Sequence, residues 1–298
     1  MARAAKRYYS PIIGCDKMTL YSPINILLRN RYTREGLKAR KKTVNLEYYH
    51  DDVNLGDILA ETVTKKMLER KGLDLSAPVL RPYTHLMTIG SVLGGRGLFD
   101  ATVWGSGFRS FSETAFLGVR RRFQTLDVRA VRGPITRRIL LQAGRCDCPE
   151  IYGDPAVLMP LFYAPDAPEK SGKIGLVSHF LSPLEIPVEY RERIKELEIR
   201  TNDDRAFIDA LRACDRVISA SLHGIILAET YGIPAVFLNV SRDGELLKYY
   251  DWYFSTERQA FPMAYSVEEA VRIDPPAVPD LSDMQDRLIQ TFPYDLWL

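Results

Sequence analysis

From about residue 44 onward, short runs rich in Val, Ile, Leu, Phe and Tyr alternate with longer stretches whose apolar residues recur every three or four positions. Parallel strands need long crossovers, usually helices, so this alternation predicts βαβ units and an α/β fold with parallel sheets. VNLEYY (44–49) predicts a strand, and ILAETVTKKMLERKG (58–72) a helix stopped by Gly72. THLMTIG (84–90) and FDATVWG (99–105) predict short strands, each entering a glycine-rich loop. LDVRAVR (126–132) is the next strand, and Pro134 sits at a favoured first position of the helix ITRRILLQAG (135–144). The second half repeats this grammar. KIGLVSHF (173–180), LEIRT (197–201), DRVISA (215–220) and IPAVFLNV (233–240) predict strands. DDRAFIDALRACD (203–215), HGIILAETYG (223–232) and a closing LSDMQDRLIQTF (281–292) predict helices.

At 298 residues the chain exceeds one ordinary domain, and APDAPEKSGK (164–173), rich in Pro, Gly and charge, marks a boundary near residue 165. Two Rossmann-like halves follow, 1–165 and 166–298. A composition of 46% hydrophobic and 26% charged residues suits globular domains. No apolar run near the start reaches the length of a membrane span, and none has the form of a signal peptide, so the chain is expected in the cytoplasm. Four cysteines are few, and Cys146-Asp147-Cys148 lacks the two-residue gap of a zinc knuckle, so reduced thiols are expected. Residues 1–42 carry eleven Lys or Arg against Asp16 and Glu35, which leaves the remainder of this +2 chain acidic. Such a segment is either a solvated face or a contact for an anionic membrane. With an acidic body and no recognition motif, nucleic acid is not an expected partner.

The run SASLHGIILAETYGIPAVFL (219–238) interrupts its apolar pattern at Ser221, Leu222, His223 and Gly224. These residues fall between a strand and a helix, at the carboxyl end of a parallel strand, where open α/β sheets form their ligand crevice. Unpaired N–H groups and the dipole at a helix start favour an anion, so the four make a candidate cradle for phosphate or carboxylate. Gly224 would let the backbone approach a ligand, and Ser221 would cap the helix or bond the ligand. His223 is then either a group that gains and releases a proton or a cap-region histidine bonded to a carbonyl. Comparable turns put Asn54, Gly56 and Asp57 at the first helix start and Ser106 between two glycines, with Asp57 also readable as a simple cap. Arg132, at a strand end, can reach the crevice with a guanidinium suited to anions, and Arg129 is either its partner or an outward residue. There is no GxxxxGK[ST], HExxH or GxSxG, and GSGFRS only approaches GxGxxG.

Taken in order, VNLGD, GSVLGG, VWGSG, TLDVRAVRGPITR, YGDPAVLMP, ISASLHGIILAETYGIPAVFL, KYYDWYFSTER and FPYDLW resemble the polysaccharide pyruvyltransferases, in particular the xanthan-type ketal pyruvate transferases. The resemblance runs from about residue 50 to the end. It implies a glycosyltransferase-B-like pair of Rossmann-like domains facing a cleft. It also implies transfer of the enolpyruvyl unit of phosphoenolpyruvate to two hydroxyls of a sugar, on a lipid-linked exopolysaccharide precursor at the inner face of the cytoplasmic membrane, without cofactor or metal. His223 would be the proton-transfer residue, with Arg132 and the 221–224 helix start as anion clamps.

One departure stands out. Some members carry Arg where this chain has Ser221, so another cation must complete the clamp, and Lys248 and Arg258 are the candidates. Tyr249, Tyr250, Trp252 and Tyr253 offer flat faces for sugar or fill the core. Asp154 either activates an acceptor hydroxyl or starts a turn before Pro155. Two rival readings remain at this point. One is a nucleotide-sugar glycosyltransferase, in which Glu229 holds the ribose and His223 the diphosphate. The other is a non-catalytic scaffold of a membrane assembly.

Overall fold

The computed structural model describes residues 43–49, 53–81, 84–94, 100–114, 117, 124–144, 146–179, 182–240 and 245–297. The basic segment 1–42 and its expected membrane contact lie outside them.

Two parallel sheets organise the chain. In the first, β1 (Asn45–Glu47), β2 (His85–Met87), β3 (Ala101–Trp104) and β4 (Leu126–Ala130) lie side by side in sequence order. β5 (Ile174–Val177), β6 (Ile194–Glu196), β7 (Arg216–Ser219), β8 (Ala235–Leu238) and β9 (Met263–Ala264) form the second, in the order β6-β5-β7-β8-β9. That is the doubly wound 2-1-3-4-5 arrangement, whose topological switch point lies between β5 and β7. Every pairing between named strands is parallel. The α/β class with parallel sheets read from the sequence is what the chain forms.

Local chemistry sets the helix boundaries. α1 (Leu55–Glu69) starts at Asn54, whose Oδ1 accepts from Gly56 N at 3.3 Å, and stops before Gly72, at φ +69°. Leu55, Leu59, Val63 and Met67, spaced four apart, are buried along one stripe. α2 (Pro134–Ala143) has proline at its first position, and α4 (Asp204–Arg212) is capped by Asp203 Oδ1, which accepts from Ala206 N at 2.9 Å. Between these two, a 3-10 turn (Pro155–Leu158) runs into the short α3 (Met159–Phe162). α5 (Leu222–Thr230) is buried nearly throughout, as a helix apolar on all sides must be. α6 (Leu247–Ser255), α7 (Val267–Arg272) and α8 (Ser282–Thr291) follow.

The LEIRT segment departs from expectation. The strand is Ile194–Glu196, three residues earlier, and although Leu197 and Ile199 are buried, Ile199 gives its carbonyl to Leu55 N at 3.0 Å rather than to a sheet neighbour. Leu197 still donates to Leu176 O of β5 at 2.9 Å, so LEIRT begins on the sheet and leaves it at Ile199 for the start of α1. The closing helix also reaches back to the first sheet, where the Trp104 indole donates to Leu288 O at 3.0 Å and Phe292 meets its ring edge-on at 4.9 Å. The largest buried cluster is continuous from α1 through Trp104 to α5, Tyr249 and Trp252.

Candidate active site

The carboxyl end of β7 leads directly into α5. Ser219 closes that turn, its Oγ donating to Ser221 O at 2.7 Å and accepting from Ser221 N at 3.0 Å. Ser221 takes the N-cap position without a side-chain bond to the helix, so the first-turn N–H groups rely on other partners. Leu222 is buried. Gly224 does not have the ligand-facing job that its position suggests. A Cβ there would stand 2.3 Å from Ser219 Oγ and 3.0 Å from Val177 Cγ1, so this glycine lets α5 press onto the sheet.

His223 turns instead toward the start of α1. A Cβ on Gly56 would lie 1.9 Å from its Nδ1, so only a glycine leaves room for the imidazole. On the other side of the ring, Nε2 faces Asp154 Oδ2 at 3.6 Å. That exceeds a hydrogen bond, and both atoms are buried without a hydrogen-bond partner. Asp154 is fully buried, and its other oxygen accepts from Ala156 N at 3.1 Å to cap the 3-10 turn. Both readings of Asp154 are too narrow, because it caps a turn and confronts the histidine with different oxygens.

Around this pair, Asn54 Nδ2 donates to Asp57 Oδ2 at 2.9 Å, while Asp57 Oδ1 accepts from Tyr49 N at 3.3 Å. These bonds tie the exit of β1 to the start of α1. Ser106, fully buried, donates to Gly90 O at 2.9 Å and so joins the loops that follow β2 and β3. Arg132 has no solvent-exposed surface. Its guanidinium donates to Ser91 Oγ at 2.8 Å and to Phe108 O, and its Nε lies 3.4 Å from Asp251 Oδ2. Asp251, on α6, in turn accepts from Ile135 N (2.9 Å), Thr136 N (3.0 Å) and Thr136 Oγ1 (2.6 Å) at the start of α2. One carboxylate thereby caps a helix of the first half from a helix of the second.

A cluster of charge adjoins Arg132. Lys248 Nζ lies 3.1 Å from Glu245 Oε2, Arg109 Nε lies 3.4 Å from the other oxygen of Glu245, and Arg109 Nη2 lies 3.0 Å from Glu113 Oε1. Burial pushes the Lys248 ammonium below its ordinary value against the pull of Glu245. Burial works to raise the Glu245 carboxyl, yet Lys248 and Arg109 together hold it below its ordinary value. His179, just past β5, is pushed down to about 4 by burial, with Lys248 adding to the effect. Lys248 Nζ also lies 5.2 Å from the centre of the Tyr249 ring, whose hydroxyl donates to Ala220 O at 2.7 Å, next to Ser221.

Residues 99–242 match the family model of polysaccharide pyruvyl transferases. That span is 144 of the 298 residues, just under half of the chain. The match indicates a transferase enzyme, and the matched span holds Arg132, Asp154, Ser221 and His223 while excluding Gly56, Lys248 and Asp251. An uncharacterized protein of Acanthamoeba polyphaga mimivirus is 25% identical over 244 residues, covering 76% of this chain and 79% of its own. A crystal structure of a functionally uncharacterized protein from Klebsiella pneumoniae has a TM-score of 0.49 at 15% identity, over 73% of this chain and 90% of its own.

Elsewhere in the chain, several candidates are engaged with other partners. Arg258 donates in bidentate fashion to Glu229 at 2.6 and 2.8 Å and lies over the Tyr253 ring at 4.5 Å. Glu229, which also accepts from the Trp252 indole at 2.9 Å, sits six residues along α5 from His223, about 9 Å away. The geometry does not bring Arg258 to the helix start, and Glu229 is closed to a ribose. Arg129 pairs with Asp127 and Asp295 at the surface, and hydrogen bonds to both hold its guanidinium protonated above its ordinary value. Tyr249, stacked on Phe237 at 4.0 Å, and the fully buried Trp252 present no face to a sugar. Sequence reasoning passed over Arg109, His179 and Glu245. Two of these carried a readable signal, an arginine inside a glycine-rich loop after a strand and a histidine at a strand's carboxyl end.

Proposed function

We propose that the chain transfers the enolpyruvyl unit of phosphoenolpyruvate onto two hydroxyls of one sugar, making a cyclic pyruvate ketal and releasing phosphate. The observation that carries this is the match to the polysaccharide pyruvyl transferase family model joined to His223, a nearly buried titratable group at a helix start beside the switch point of a doubly wound sheet. His223 protonates the methylene carbon, and the central carbon becomes an oxocarbenium-like electrophile. One sugar hydroxyl adds there, the carbon–oxygen bond to phosphate breaks, and a second hydroxyl closes the ring. One hydroxyl proton restores the histidine and the other leaves with phosphate, so the acceptor gains pyruvate less one water. The first-turn N–H groups of α5 hold one anionic group of the donor. Lys248, adjacent to the strand end that precedes Ser221, supplies the cation that Ser221 does not, with Arg109 beside it.

The acceptor is a polysaccharide precursor, lipid-linked, presented at the inner face of the cytoplasmic membrane, and the basic segment 1–42 meets that anionic surface. The halves 1–165 and 166–298 act as two Rossmann-like domains facing a cleft in the glycosyltransferase-B manner. Two parallel sheets and the packing of α2 against α6 support this arrangement. No cofactor or metal enters the reaction.

The test incubates purified protein with phosphoenolpyruvate and a panel of hexosides and lipid-linked oligosaccharides, reading phosphate and acceptor mass. Acceptor-dependent phosphate with the pyruvyl mass gain supports the proposal. Consumption of a nucleotide-sugar with phosphoenolpyruvate untouched overturns it in favour of glycosyl transfer.

A further inference from the structure

A buried carboxylate oxygen and a buried imidazole nitrogen, each without a partner and facing one another, require an explanation, because a buried polar atom left unsatisfied loses its hydration with nothing in return. Asp154 Oδ1 is already committed to Ala156 N, which leaves Oδ2 to accept from whatever stands 3.6 Å away, and that is His223 Nε2. A closure of about 0.7 Å would bring the two within hydrogen-bonding range. The start of α5 opposes positive charge on the imidazole, whereas a carboxylate beside it favours that charge. The opposite ring edge lies against Gly56, where no side chain intervenes.

We propose that Asp154 is a positioning residue for His223. It accepts the proton on Nε2, fixes the ring in that tautomer and offsets the helix dipole when the ring is charged. Nδ1, on the Gly56 side, is then the nitrogen that gives and regains the catalytic proton. This assignment rests on the proposed pyruvyl transfer only for its kinetic consequence, because the tautomer exists without substrate.

Asp154→Asn is the informative change. Its carbonyl oxygen must keep accepting from Ala156 N, so the turn survives, and its NH2 then faces Nε2, where a donor demands the opposite tautomer. The experiment is nitrogen–proton correlation spectroscopy on protein labelled at its four histidines, with His223→Gln assigning the signal, at a pH well above the ordinary imidazole value of about 6.5. The wild type should show the proton on Nε2 and Asp154→Asn should show it on Nδ1. With phosphoenolpyruvate and an active acceptor, kcat should fall about 100-fold or more in Asp154→Asn while KM for the donor stays within a few-fold. A wild-type proton on Nδ1 would overturn the proposal whatever the variant does. So would an unchanged tautomer in a folded Asp154→Asn, or a loss confined to KM. If no acceptor works, the pyruvyl reading fails but the tautomer result still decides the role of Asp154.

Discussion

Gly56→Ala is a severe test of the site, because it adds one methyl group at a place where a helix should welcome it. Gly56 has no positive φ and lies in the first turn of α1, so alanine is allowed there and is favoured over glycine by about 0.5–1 kcal/mol. The new Cβ would nevertheless stand 1.9 Å from His223 Nδ1 and 2.3 Å from Cε1, when ordinary contact begins at 3.4 Å. The ring must retreat by about 1.5 Å, and a misplacement near 1 Å of a catalytic group costs roughly 100-fold. The expected outcome is a melting temperature within a few degrees of wild type with transfer activity reduced about 100-fold or more. Thermal unfolding and the phosphate-release assay read the two effects separately. Gly72→Ala is the counterpart, with φ +69° and open space around it, and should cost about 1 kcal/mol of stability while leaving activity intact. A fully active Gly56→Ala would refute the claim that His223 works from its observed position.

Three further outcomes follow from buried charge. Arg258→Ala strands Glu229, which is 2% exposed, and should lower stability by about 3–5 kcal/mol, with much of the loss recovered when Glu229→Leu is combined with Arg258→Leu; denaturant unfolding of the single and the double variant beside wild type checks this. Asp251→Ala removes three accepted hydrogen bonds at the start of α2 and leaves Arg132 uncompensated, so a loss of similar size, about 3–5 kcal/mol, is expected in the same measurement. His179 has a folded value of about 4, below its unfolded value of about 6.5, so the unfolded chain takes up the proton first as pH falls. Its contribution is complete above pH 6.5 and lost on descent to pH 4. Partial exposure reduces the full linkage energy to about 1–2 kcal/mol, which His179→Gln should abolish in unfolding measured across that range.

Much of the fold was legible because local chemistry and global architecture agree. Asn54, Pro134, Asp203 and Gly72 mark helix ends by capping or backbone freedom alone, and the strand-turn-helix around Ser219–Gly224 puts His223 at a crevice edge before any coordinates exist. α7 was also readable, since Ser266 with Glu269 three residues on is a cap signature that went unused. α6 was not, because KYYDWYFS is aromatic on several faces and packs between the two halves, giving no polar stripe for periodicity to detect. LEIRT misled because the chain leaves the sheet after Leu197 while Ile199 stays buried beside the start of α1, which imitates the alternation of a strand.

The site followed the same division. That His223 stands at the start of α5 is a local fact, but its neighbours Gly56 and Asp154 come from distant segments that only the fold unites. Gly224 shows the converse error, since a glycine near a candidate ligand was read for the ligand when its requirement is the approach of helix to sheet.

The central claim is tested most directly by mass spectrometry of the acceptor after incubation with phosphoenolpyruvate, run in parallel on wild type and His223→Ala. The account predicts a gain of one pyruvate less one water, matched by released phosphate and absent from a folded His223→Ala. An equal gain in the variant would contradict it and reduce that histidine to a structural group.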